Sequence, residues 1–87
     1  MNPSKQKLID RLKVIEGQVH GLRNMLVKDT YCIDVISQTS AVKRALSSVE
    51  DSLMENHLNT CVVKQIKGGK QSIAVDEILK VYRLKRK

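Results

Sequence analysis

The sequence predicts an all-α chain of three helices, the first two folded into an antiparallel hairpin. Apolar residues recur at four-three spacing through two long segments, a Gly-Gly pair sets off a third, and no stretch alternates with the period of a strand. The chain has 87 residues, which points to a single domain over 1–87. So short a chain buries a thin core on its own, and self-association is the expected source of further stability.

The first helix is expected to start at Asn2-Pro3, with proline at the first helical position. Leu8, Leu12, Ile15, Val19, Leu22 and Leu26 then form a heptad seam. Gly17 falls inside it and marks either a close backbone approach or a small helical cost. Lys28-Asp29-Thr30 is a polar break, and Asp29 or Thr30 is expected to cap the second helix.

That second helix is expected from about Tyr31 to about Val63, with no Gly or Pro inside it. Val35, Thr39, Val42, Leu46, Val49 and Leu53 repeat the stepping. Residues 67–70, KGGK, are the linker. Ser72 is expected to cap a short third helix built on Val75, Ile78, Leu79 and Tyr82, and residues 83–87 to form a frayed basic tail.

A hairpin has one internal seam. Met25, Ile36, Met54 and Leu58 lie off it and need another surface. Two hairpins paired as a four-helix-bundle homodimer supply one, with the third helices at its ends.

The net charge is +7, which calls for an anionic partner: duplex nucleic acid first, an acidic membrane second. Tyr31 and Tyr82 are the only aromatics, too few to stack single-stranded bases. The N-terminal MNPSKQKLIDRL has no apolar signal core and no stretch suits a membrane span, so a cytoplasmic location is expected, where thiols stay reduced. Two cysteines there point to reactivity or metal binding. An acid/base pair, a phosphate loop and a nucleophile motif are all missing, which argues against an enzyme.

His57 and Cys61, four apart, share one helix face. Cys32, the other cysteine, opens the same helix about 43 Å away along a straight axis. One chain cannot bring all three to one metal unless that helix breaks. An antiparallel crossing of two copies near Ala45 sets Cys32 of one against His57 and Cys61 of the other, twice by symmetry. Zinc usually takes four ligands, the fourth here being water or a carboxylate such as Glu77; a soft three-donor set favours Cu(I). His20 lies off the seam and reads as a solvated surface residue.

Three stretches carry a resemblance over nearly the whole chain: RLKVIEGQVHGLRNML at 11–26, YCIDVISQTSAVKRAL at 31–46 and HLNTC at 57–61. Together they resemble the CsoR/RcnR family of bacterial metal- and stress-sensing repressors, and most closely its copper-sensing branch. The resemblance implies a tetramer, a dimer of helical dimers without a helix-turn-helix. It implies Cu(I) held by Cys32 of one subunit and His57 and Cys61 of the next, with Tyr31 and Glu77 connecting the histidine to the rest of the fold. Branches sensing nickel, cobalt or formaldehyde typically lack a cysteine at position 61, and persulfide sensors lose the histidine.

Without a recognition helix, operator affinity should come from lysine and arginine on phosphate. Arg11 and Lys13 match basic positions of the family's first helix, and Lys43 and Arg44 lie near the expected dyad. Ser47 and Ser48 stand where family members often carry a basic residue. The function implied is a repressor that binds operator DNA without metal and releases it on binding Cu(I), freeing copper-export genes. Two alternatives remain: a persulfide-responsive repressor using Cys32 and Cys61, and a basic helical DNA-binding protein that senses nothing.

Overall fold

The structure is a computed structural model describing residues 3–86, with side chains from residue 5 onward. Every element among the described residues is helical: α1, Pro3–Val27; α2, Cys32–His57; a π-helical turn, Leu58–Val62; α3, Val63–Lys67; and α4, Gln71–Arg86. Helical dihedrals continue through His57, Val62 and Val63, so α2, the π-turn and α3 join without a loop. Counting that path once, the chain has the three helices the periodicity predicts. The chain divides into two compact units, one ending at Ser52 and the other beginning at Leu53.

In the first unit α1 opens at Pro3 as expected; Asn2 lies outside the described residues. Asp29 adopts a left-handed φ of 55°. Its N–H donates to the Leu26 carbonyl at 3.2 Å, and the Thr30 N–H donates to the Met25 carbonyl at 2.9 Å. This pair of bonds is a Schellman closure, which satisfies carbonyls left open at the end of α1. Asp29 thus ends one helix rather than capping the next. The cap of α2 is Tyr31, whose carbonyl accepts from the N–H groups of Asp34 and Val35.

The heptad seam splits in two. Ile15, Val42 and Val49 are 5–7% exposed, with Leu8, Leu22 and Ala45 packed against them. The interleaved Leu12, Val19, Leu26, Leu46 and Leu53 are 39–64% exposed. Every second seam position on α1 and α2 therefore serves the hairpin, and the alternate positions remain open in the single chain. Ile36 and Leu58 are exposed as well, while Met25 and Met54 are half-buried. A Cβ added at Gly17 would meet nothing within 4 Å, so among the described residues no other segment approaches it closely.

In the second unit Gly69, at φ 75°, repeats the closure seen at Asp29. Its N–H reaches the Ile66 carbonyl at 3.1 Å and the Lys70 N–H reaches the Gln65 carbonyl at 2.7 Å. The Lys70 carbonyl then accepts from the Ala74 N–H at 3.2 Å, so α4 is capped by Lys70 and Ser72 lies inside its first turn. α3 packs on α4, and Val62 and Ala74 are buried. The inward face of α4 is Ala74, Ile78 and Val81; of the predicted apolar set Val75, Ile78, Leu79 and Tyr82, only Ile78 turns inward and the other three are exposed. Residues 83–86 are not frayed but helical, Lys87 lying outside the described residues; the Arg86 guanidinium carbon sits 5.7 Å from the centre of the Tyr82 ring. Arg83, Lys85 and Arg86 in the last turn also complement the helix dipole.

Candidate metal centre and nucleic-acid face

The three expected metal donors lie at element boundaries. Cys32 is the first residue of α2, a helix end that favours negative charge. His57 is its last residue and is half-buried. Cys61 lies in the π-turn; both cysteines are free and exposed. His57 and Cys61 are thus separated by a π-turn, not by the regular α-turn the spacing suggests. Such turns frequently occur at functional sites.

Thr60 back-bonds within this turn, as Thr39 does to the Val35 carbonyl at 2.8 Å inside regular α2. The Thr60 hydroxyl donates to the Asn56 carbonyl at 2.8 Å. That carbonyl is the one the Thr60 N–H would claim in an α-helix, and such back-bonding competes with the ladder and bends helices. The same Oγ1 lies 3.7 Å from Cys61 Sγ, so the threonine touches a candidate ligand. Sequence reasoning misses Thr60; its only signal is a hydroxyl four residues after an exposed carbonyl.

Among the described residues, no three His, Cys, Asp or Glu side chains gather into a group able to hold a metal. Tyr31 is exposed beside Cys32. Glu77 accepts a hydrogen bond from Gln65 Nε2 at 2.9 Å, while the Gln65 Oε1 is buried without a partner. Gln65 lies four residues after Cys61 and reaches across to α4, a link the sequence does not announce. His20 is exposed, with Arg23 donating to its Nδ1 at 3.0 Å.

On the basic side, Arg11, Lys13, Lys43 and Arg44 are all exposed. Arg11 and Lys13 are two residues apart, which places them about 200° from one another around α1. Arg11 crosses to α2, where its Nη1 donates to Ser48 Oγ at 3.1 Å and to Ser52 Oγ at 3.5 Å. Arg44 stands one turn before Ser48 on the same face.

A family profile described as metal-sensitive transcriptional repressor matches residues 4–83. The chain belongs to this repressor family. Among family proteins, it is 43% identical over 79 residues to a copper-sensing transcriptional repressor, CsoR, of Bacillus subtilis, covering 91% of this chain and 78% of that one. It is 45% identical over 65 residues to the copper-sensing repressor RicR of Mycobacterium tuberculosis, covering 75% of this chain and 68% of that one. The fold matches the crystal structure of the copper-sensing repressor CsoR with Cu(I) from Geobacillus thermodenitrificans, with a TM-score of 0.90 and 36% identity over 100% of this chain and 92% of that one. The all-helical architecture of this repressor is thus that of a copper sensor solved with its metal. No helix among its described residues is long and apolar enough to cross a membrane.

Proposed function

We propose that this repressor responds to Cu(I): it holds operator DNA when metal-free and releases it when Cu(I) binds, freeing copper-export genes. The observation that carries the reading is the donor chemistry, Cys32, His57 and Cys61, in a chain whose fold matches a Cu(I)-bound sensor at 36% identity. Two free, exposed thiols and one imidazole make a soft set that suits Cu(I). Bound Cu(I) would supply a soft Lewis acid that holds three donors at one point.

A second copy completes the site: Cys32 comes from one subunit, His57 and Cys61 from the next. The exposed half of the seam supports this pairing, since Leu12, Val19, Leu26, Leu46 and Leu53 form an apolar stripe of the kind that a four-helix bundle covers. The dimer pairs again into a tetramer. Tyr31 and Glu77 orient the His57 imidazole and pass its movement to α4. Arg11, Lys13, Lys43 and Arg44 hold phosphates of the duplex. The protein works in the cytoplasm, where the thiols stay reduced.

Linkage requires that DNA weaken Cu(I) binding by the factor by which Cu(I) weakens DNA binding. Anaerobic titration of the reduced protein on an operator-like duplex is expected to show one Cu(I) per subunit, with DNA lost at that ratio. Cys32→Ala should stay on DNA when copper is added. His57→Ala should bind Cu(I) yet remain on DNA. Release by a persulfide donor alone, with copper inert, would instead favour a thiol sensor using Cys32 and Cys61.

A further inference from the structure

Arg11 is held in place by the facing helix. Its Nη1 donates to the hydroxyls of Ser48 and Ser52, at 3.1 and 3.5 Å. These hydroxyls lie one turn apart on one face of α2. Neither serine occupies the Nε–Nη2 edge of the guanidinium, which carries two parallel N–H groups. That is the edge that matches two oxygens of a phosphate. The partners are neutral, so they fix the guanidinium without cancelling its charge, as a carboxylate would. Arg44, one turn before Ser48 on the same helix face, is a second exposed cation of α2.

We propose that Ser48 and Ser52 are positioning residues for DNA binding, which pre-orient Arg11 so that its Nε–Nη2 edge meets a backbone phosphate of the duplex. The proposal rests on the reading of Arg11 as a phosphate contact. A free arginine must give up rotamer freedom when it docks, and a side chain already held by two hydroxyls gives up less. The serines therefore contribute to affinity without carrying charge. They do so by ordering one charge instead of adding another.

The test uses the full metal-free chain and a fluorescein-labelled duplex of mixed sequence, with affinity read by anisotropy across a salt series. Arg11→Ala is expected to weaken binding and make the salt slope shallower by about one. Ser48→Ala combined with Ser52→Ala is expected to weaken binding by about three- to tenfold with Arg11 present. The salt slope should stay unchanged, because the charge remains. In the Arg11→Ala background the serine changes should cost almost nothing. Ser48→Thr, which keeps the hydroxyl, should retain the affinity that Ser48→Ala loses. Alanine suits a helix better than serine does, so these variants keep the fold, and their thermal midpoints verify it. Equal losses in both backgrounds, or no loss in either, would overturn the positioning role while leaving Arg11 as a contact. An Arg11→Ala protein with unchanged affinity and slope would reject both the contact and the role built on it.

Discussion

Asp29 and Gly69 occupy equivalent positions in two helix endings, yet only one is glycine. Each takes a left-handed φ and donates its N–H three residues back, and the residue after it reaches five back. Aspartate tolerates that region better than most residues because its short polar side chain can bond locally. Asp29→Val should therefore cost about 1–2 kcal/mol, while Asp29→Asn should be close to neutral. A Cβ at Gly69 meets no neighbour, so the cost of Gly69→Ala, about 1 kcal/mol, would be purely backbone strain. Urea unfolding at fixed protein concentration checks all three, since association adds to apparent stability. Asp29 is legible in the sequence as a helix-boundary residue, but the sequence points to the wrong helix. Aspartate is favoured both as an N-cap and in left-handed turns, and only the observed hydrogen bonds distinguish the two.

At the scale of elements, the π-turn Leu58–Val62 is the least expected feature. Composition predicts an unbroken helix there, because Leu, Asn, Thr, Cys and Val contain no breaker. The departure coincides with a threonine hydroxyl on the Asn56 carbonyl. Thr60→Val keeps the shape and removes the bond. The variant is expected to relax the turn toward α-helix, shift Cys61 relative to His57, and weaken Cu(I) binding by about tenfold, in line with other changes around metal ligands. A competition titration with a Cu(I) chelator, without DNA, measures it; unchanged affinity would mean the turn is incidental to the site. The proposed ligand pair is read from spacing, whereas the turn between its members is not. The choice between i−4 and i−5 bonding is not encoded in the periodicity, and a threonine back-bond alone does not decide it, since Thr39 makes the same bond within regular α2. The face of α4 is misread from sequence for a related reason. Ala74, the most buried residue there, is too small to stand out among Val75, Leu79 and Tyr82.

For the whole molecule, the divided seam gives the proposed assembly a surface distinct from the hairpin core. Ile15, Val42 and Val49 hold the hairpin of one chain, so Ile15→Ala should cost about 2–4 kcal/mol as a buried truncation. Leu12→Glu and Leu46→Glu alter side chains already open in the single chain. They are expected to keep the helical circular dichroism largely intact while shifting sedimentation toward smaller species. If Leu46→Glu sediments like the parent protein, α2 is not the pairing surface, and the subunit-bridging site loses its geometry.

Amphipathic period, the polar break at 28–30, the Gly-Gly turn, the excess of cations and the Cys-His-Cys spacing are local properties. The sequence alone therefore determined an all-helical chain and its helix count, and it supplied the Cys-His-Cys residues and the excess of cations on which the proposed function rests. It did not determine which half of each heptad seam faces inward, where the second helix turns from α to π, or that Arg11 lies across Ser48 and Ser52. Those features depend on contacts between residues far apart in the chain, or on backbone hydrogen bonding that the apolar period does not encode. An apolar stripe four-three in period is equally ready to meet its own hairpin or another copy, and only packing selects between them.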